Sequence, residues 1–328
     1  MRKRLRVAGG IGISTVALVV LSMASNLVLG AIEKANVDPY GERVSIDGGK
    51  VNASVTGNGE QTLVLLSGYG TASPVLDFTP LVEELNDTYT VVVIERFGYG
   101  YSDLDVPGRT VEKISIELHD TLAELKVKDY VLAAHSLAGI YSLDYVNRFP
   151  GEVSALVTMD GTVPEAFAVA PEIGVWERFL LVTGWVRWMT VLSPAITAPA
   201  APAGVYSESA IEQIRLMTIW NYANPAMIDE NNRSAENFDA VAGLSYPSEL
   251  PVLAFLSQQL IDANAQWRPA HEQQLESVDR SELVVFNGGH YLHWTHSKEM
   301  AESIEQFLGR ATASSFGNEE SQRPAVYR

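Results

Sequence analysis

The chain has 328 residues, 47% of them hydrophobic and 19% charged, a globular composition with ample length to bury a core, which excludes a disordered chain. Its formal charge of -17, from 40 acidic against 23 basic residues, argues against nucleic acid as the main ligand, because that affinity comes from Lys and Arg neutralising phosphates. Cysteine is absent, which removes disulfides, a thiol nucleophile and thiolate metal sites.

Arg2, Lys3, Arg4 and Arg6 precede an apolar run from Val7 to Ile32 with no charge before Glu33. About 20 apolar residues cross a bilayer as a helix, so the run is long enough for an anchor. The basic cluster keeps its own end cytoplasmic and places everything after Glu33 outside. Ser22-Met23-Ala24 resembles a signal cleavage site, so secretion after cleavage is the alternative. Residues 1–34 are expected as a signal anchor holding an extracytoplasmic domain at the cell membrane, because the apolar run continues past Ala24 to Ile32.

Arg43-Val44-Ser45-Ile46 and Val51-Asn52-Ala53-Ser54-Val55 alternate around Gly48-Gly49, the pattern of a β-hairpin. Strands follow at Thr62–Leu66, Tyr89–Ile94, Tyr130–Ala134 and Ala155–Met159. Helices are expected between them, one with Val75, Phe78, Leu81, Val82 and Leu85 at helical spacing, then Val111–Leu125 and Leu137–Phe149. Strands without polar alternation suit a parallel sheet buried on both faces, and their alternation with helices predicts a doubly wound α/β fold. The texture changes between Pro164 and Pro247. Trp176, Phe179, Leu180, Trp185, Val186, Trp188 and Met189 form an aromatic-rich stretch, Ala195–Gly204 is a Pro/Ala linker, and Glu208–Tyr222 reads as an amphipathic helix. Residues 165–246 are therefore expected as an inserted helical cap, and residues 35–164 and 247–310 as the α/β core. Strands at Val252–Leu256 and Leu283–Phe286 and a helix over Ser297–Leu308 complete the core; residues 311–328 are expected as a disordered tail.

Ala133-Ala134-His135-Ser136-Leu137-Ala138-Gly139 lies between an expected strand and an expected helix. A serine hydroxyl is a poor nucleophile unless exposed and paired with a base, and a tight strand-to-helix turn exposes it. Small neighbours are needed there, and Ala134 and Ala138 stand where G-x-S-x-G has glycines. A serine ahead of a helix also caps it, which is the plainer alternative. Leu66-Ser67-Gly68-Tyr69-Gly70 is a second turn at a strand end. The amides of Tyr69 and of Leu137 are candidates for receiving the oxyanion that develops in acyl transfer. His290, in Asn287-Gly288-Gly289-His290 after the last strand, is the candidate base. His135 adjoins the serine and points elsewhere. His293 and His296 could join His290 only in a metal site, and no acidic ligand lies at matching spacing, so no metal or cofactor is expected. The acid that fixes the imidazole tautomer is Asp160 or, as the alternative, Asp262 in the loop Ser257-Gln258-Gln259-Leu260-Ile261-Asp262.

Taken in order, Ser67-Gly68, Glu95-Arg96-Phe97-Gly98-Tyr99-Gly100-Tyr101-Ser102-Asp103, Ala134–Gly139 and Gly289-His290 resemble the α/β-hydrolase superfamily over about Arg43 to Leu308. The resemblance implies Ser136 as nucleophile, His290 as base, and Tyr69 and Leu137 as oxyanion donors. It also allows an acid after the sixth strand, where Asp160 stands, as in certain haloalkane dehalogenases. Those relatives use an aspartate nucleophile, so a serine disfavours dehalogenase and epoxide-hydrolase chemistry. The sequence departs from the family pattern at Ser67, Ala134 and Ala138, and has no acid directly after the seventh strand. The expected activity is hydrolysis of an ester or related acyl bond of an apolar small molecule through an acyl-enzyme. A catalytically silent surface binding protein is the alternative. Nothing in the sequence fixes the oligomeric state.

Overall fold

The computed structural model describes residues 2–166 and 171–320. A long helix, α1 (Arg2–Asn36), leads into β1 (Glu42–Ile46) and β2 (Gly49–Thr56), which pair antiparallel as a hairpin turning at Gly48-Gly49. The chain continues through β3 (Thr62–Leu66), α2 (Pro74–Asp77), α3 (Thr79–Leu85), β4 (Thr90–Glu95), α4 (Val111–Glu124), β5 (Tyr130–His135), α5 (Ala138–Arg148) and β6 (Val153–Met159). Among the described residues, five α-helices intervene: α6 (Val175–Val182), α7 (Trp185–Leu192), α8 (Glu208–Asn221), α9 (Pro225–Asn232) and α10 (Ser234–Val241). Then come β7 (Val252–Ser257), α11 (Gln258–Ala263), α12 (Trp267–Leu275), β8 (Ser281–Phe286), α13 (Leu292–Thr295) and α14 (Ser297–Glu320).

The eight strands form one sheet in the order β1-β2-β4-β3-β5-β6-β7-β8, parallel from β4 to β8. Successive side chains on a strand point to opposite faces, so the apolar runs feed two cores. Val64, Leu66, Leu132 and Ala134 pack with Ile114 and Leu118 of α4 and Ile140 and Leu143 of α5. Leu63, Leu65, Val131 and Ala133 pack on the other side with Leu81 and Leu85 of α3 and Ile304 and Phe307 of α14. The single expected helix around Val75–Leu85 is two short ones, meeting at Phe78, where Pro80 follows. Helix α14 runs to Glu320, so residues 311–320, expected in a disordered tail, are helical; residues 321–328 lie outside the described residues.

Register positions the site. His135 of β5 pairs with Met159 of β6, so the residues just beyond the strand ends, Ser136 and Asp160, lie side by side. Leu66 of β3 pairs with Ala134, which brings Ser67-Gly68 against the same turn. All of these are carboxyl ends of parallel strands, the place where open α/β sheets bind ligands.

A candidate active site at the strand ends

Ser136 has φ +55°, a left-handed conformation costly for a residue with a side chain. Tight packing holds it there: Ala134 and Ala138 are fully buried on either side, and the Ser136 carbonyl accepts from the Thr162 amide at 2.8 Å. The capping alternative does not apply, because α5 has no side-chain cap; the Ser136 hydroxyl instead lies 2.8 Å from His290 Nε2. His290 Nδ1 lies 2.7 Å from Asp160 Oδ2. The bond fixes the tautomer: Nδ1–H donates to the carboxylate and leaves Nε2 facing the hydroxyl as an acceptor.

Asp160 is fully buried, with φ +48°. A buried carboxylate needs donors on both oxygens. Its Oδ1 accepts from the Ser257 amide at 3.0 Å and from Trp267 Nε1 at 2.9 Å. Asp262, the alternative acid, is exposed on α11 and accepts from the Gln258 amide side chain at 2.8 Å, with no bond to His290. The loop carrying His290 is pinned from below, where Gly288 O accepts from Ser257 Oγ at 2.8 Å.

Gly68 abuts the serine. A Cβ built on it would sit 2.5 Å from Ser136 Cβ and 2.9 Å from Oγ, so only glycine lets this loop come so close. The next amide, of Tyr69, and that of Leu137 at the start of α5 have no acceptor among the described residues. Gly68→Ala is expected to lower kcat/KM for an ester about 100-fold, the scale of losing one oxyanion donor, because the loop must retreat from Ser136. Steady-state kinetics with thermal unfolding as a folding control check this.

His135 is buried, and its Nε2 lies 3.1 Å from the His290 carbonyl, so it acts on the loop and not on the serine. Burial, then the neighbouring His293 and His290, hold its pKa well below the usual 6.5. The folded protein refuses a proton that the unfolded chain accepts below about pH 6.5, so this residue makes stability fall as pH drops through that value. His135→Gln, which keeps a donor for the carbonyl, is expected to flatten the acid side of a melting-temperature profile. The two histidines weighed with His290 for a metal site, His293 and His296, point apart. His293 Nε2 bonds Asp77 Oδ2 at 2.8 Å, while His296 Nδ1 faces Thr295 Oγ1 at 2.8 Å.

Sequence reasoning missed several supporting residues. Trp267, on α12, braces Asp160 from about a hundred residues away, and no local signal announces it. Glu95, at the end of β4, is fully buried; burial raises its pKa, opposed by bonds from the Tyr101 amide, Tyr40 and Asn52. Gly100, at φ +54°, has no room for a side chain over that carboxylate, which explains the glycine in the Gly98–Ser102 turn. Arg96 pairs with Glu230 of α9 at 3.1 Å, both buried, and Tyr99 and Tyr141 donate to the same carboxylate at 2.9 and 2.6 Å. This network ties the inserted helices to the sheet.

A cavity of about 440 Å³ lies next to the site, with neither Ser136 nor His290 in its lining. Its lining includes Gly70–Ser73 and Tyr291, next in sequence to Tyr69 and His290, and the apolar Trp185, Val186, Met189 and Ile214.

The model of the Alpha/beta hydrolase family matches residues 63–303. Among curated proteins, the chain is 27% identical over 232 residues to the uncharacterized protein YbdG of Bacillus subtilis, covering 67% of this chain and 70% of that one. It is 27% identical over 147 residues to the human serine hydrolase BPHL, covering 44% of this chain and 49% of that one, so the match spans about half of that relative's length. Among solved structures, the epoxide hydrolase VrEH1 of Vigna radiata superposes with a TM-score of 0.64 at 13% identity, covering 83% of this chain and 98% of that one, a likeness of fold alone.

Proposed function

The chain belongs to the alpha/beta hydrolase family and is a hydrolase of that type, and from this premise we propose that it is a serine hydrolase acting on ester or related acyl bonds of apolar molecules. The observation that carries the reading is the continuous path from Ser136 Oγ through His290 to Asp160, at 2.8 and 2.7 Å. In the proposed mechanism, Ser136 Oγ attacks the carbonyl carbon while His290 Nε2 takes its proton. The carbonyl oxygen, now negative, receives the Tyr69 and Leu137 amides. Collapse breaks the bond to the alcohol, which leaves with the proton from His290. Water then attacks the acyl-enzyme, giving its proton to His290, and the acid departs as Ser136 recovers its own. Asp160 keeps Nδ1 protonated throughout and offsets the imidazolium charge.

The human relative's name, a serine hydrolase, supports the same chemistry. The apolar cavity wall supports an apolar acyl group. We also read α1 as a retained anchor with the hydrolase domain outside the cytosol. Ser14–Asn36 is long and apolar enough to cross a membrane and is not buried by the rest of the protein. Ser22 and Asn26 of α1 bond Thr183 and Arg187, partners that a cleaved signal would not need.

Mixing the protein with p-nitrophenyl esters of increasing chain length tests the reading. The expected result is a burst of p-nitrophenol close to one equivalent before the steady rate, as an acyl-enzyme builds up. No release from any ester by the folded protein would sink it.

A further inference from the structure

Helix α7 has three differently used faces. Arg187 is turned to α1, where it donates to Asn26 Oδ1 at 2.8 Å and forms a two-pronged pair with Glu33. Val186 and Met189 line the cavity. The third face is bare: Val191 and Leu192 are exposed, Leu192 at 79%, and the partly exposed rings of Trp185, which lines the cavity, and Trp188, which bonds α1, flank it. Trp176 on α6 is exposed at 76%, and Ile196 beyond α7 is exposed as well. A soluble domain rarely leaves so many large apolar side chains together in water. Charge is distributed to match. Residues 178–207 contain no Asp or Glu in a chain that has 40, and Arg187, the one charge between Arg178 and Glu208, is already paired.

The anchor fixes where this face lies. Ser22 donates to the Thr183 carbonyl at 2.5 Å and accepts from Trp188 Nε1 at 2.7 Å, and Trp220 Nε1 donates to Glu33 at 3.0 Å. The α6–α7 turn is therefore level with Ser22–Asn26 of α1. A hydrocarbon core of about 30 Å takes about 20 helical residues. Counted from Val7, the first residue past the basic cluster, that length ends near Asn26. Thr183–Trp188 then sit at the outer boundary between acyl chains and headgroups, the depth at which tryptophan is favoured.

We propose that the bare face of α6 and α7 rests in the outer leaflet of the bilayer that α1 crosses, so that the cavity beneath α7 takes an acyl chain from the membrane and delivers its ester to Ser136. The partner is the lipid surface itself, and the substrate is a membrane-dissolved acyl ester. This rests on the readings of α1 as a span and of Ser136 as nucleophile. The two can be separated.

The test places the full-length protein in phosphatidylcholine vesicles with brominated acyl chains and compares tryptophan emission with that in unbrominated vesicles. Parent and Val191→Asp/Leu192→Asp variant are measured side by side; neither residue lines the cavity. The same samples hydrolyse a long-chain p-nitrophenyl ester dissolved in the vesicles and a short-chain ester dissolved in water. The parent is expected to be quenched and the variant much less so. The variant's vesicle rate is expected to fall about tenfold, because carboxylates are costly at the headgroup boundary, with its rate on the aqueous ester unchanged. An unquenched parent, or a variant that matches the parent in quenching and in both rates, overturns the proposal. So does an unquenched parent that cross-links to itself through Val191→Cys, which would make a second copy the occupant. Quenching with no hydrolysis of either ester would remove the substrate and the nucleophile reading together while leaving the docked face in place.

Discussion

Ser136→Ala is expected to lower kcat for the best p-nitrophenyl ester by about 10⁶-fold, and His290→Ala by a similar factor, while the double variant loses little more than either alone. The reasoning starts from the 2.8 Å contact between Oγ and Nε2. The hydroxyl is not a nucleophile without the imidazole, and the imidazole has nothing to activate without the hydroxyl, so the two act as one unit. What should survive is the contribution of binding and of the oxyanion donors proposed at Tyr69 and Leu137. Alanine at 136 keeps the backbone packed between Ala134 and Ala138, and melting temperatures of the variants should stay near the parent's. Additive losses in the double variant would mean that the two residues act separately.

The second large effect concerns the acid. Asp160→Asn should cut kcat about 10⁴-fold, because the amide can present an N–H to His290 Nδ1 and force the wrong tautomer, leaving Nε2 protonated and unable to accept from Ser136. Asp262→Asn should leave kcat within about twofold, since that carboxylate is exposed and bonds only Gln258 among the described residues. The comparison must include unfolding measurements. Asp160 also accepts from the Ser257 amide and Trp267, and a buried acceptor turned partly into a donor costs about 1–3 kcal/mol. Retained stability with lost activity separates the tautomer effect from collapse of the site. Equal losses from both substitutions would contradict the assignment.

Much of this was legible in the sequence because the carriers are local. The parallel strands are continuous apolar runs, and Ser136, Asp160 and His290 each sit at a strand end, so strand order alone brings them to one edge. The sequence favoured Asp160, at the end of a strand, but left Asp262 open as the alternative. Asp262 stands close to a usual acid position, and only the formation of α11 turns its side chain outward to Gln258. Glu230 was invisible for a different reason. Its partners come from two other parts of the chain, Arg96 and Tyr99 from the turn after β4 and Tyr141 from α5, and nothing in Pro225–Asn232 signals that one carboxylate there is buried. The polar composition from Ala311 onward suggested a disordered tail, yet no proline occurs between Ser297 and Pro324 to stop a helix, and α14 continues to Glu320. The partners of Arg187 depend on where α1 lies against α7, which no window of sequence contains.

The measurement that bears most directly on the serine mechanism is labelling of the folded protein with a fluorophosphonate, located by mass spectrometry. One adduct on the peptide carrying Ser136, abolished in His290→Ala and in Asp160→Asn strongly slowed, is the expected result. A folded protein that takes up no label, or takes it at another serine with Ser136 untouched, would contradict the account and leave a hydrolase fold whose chemistry lies elsewhere.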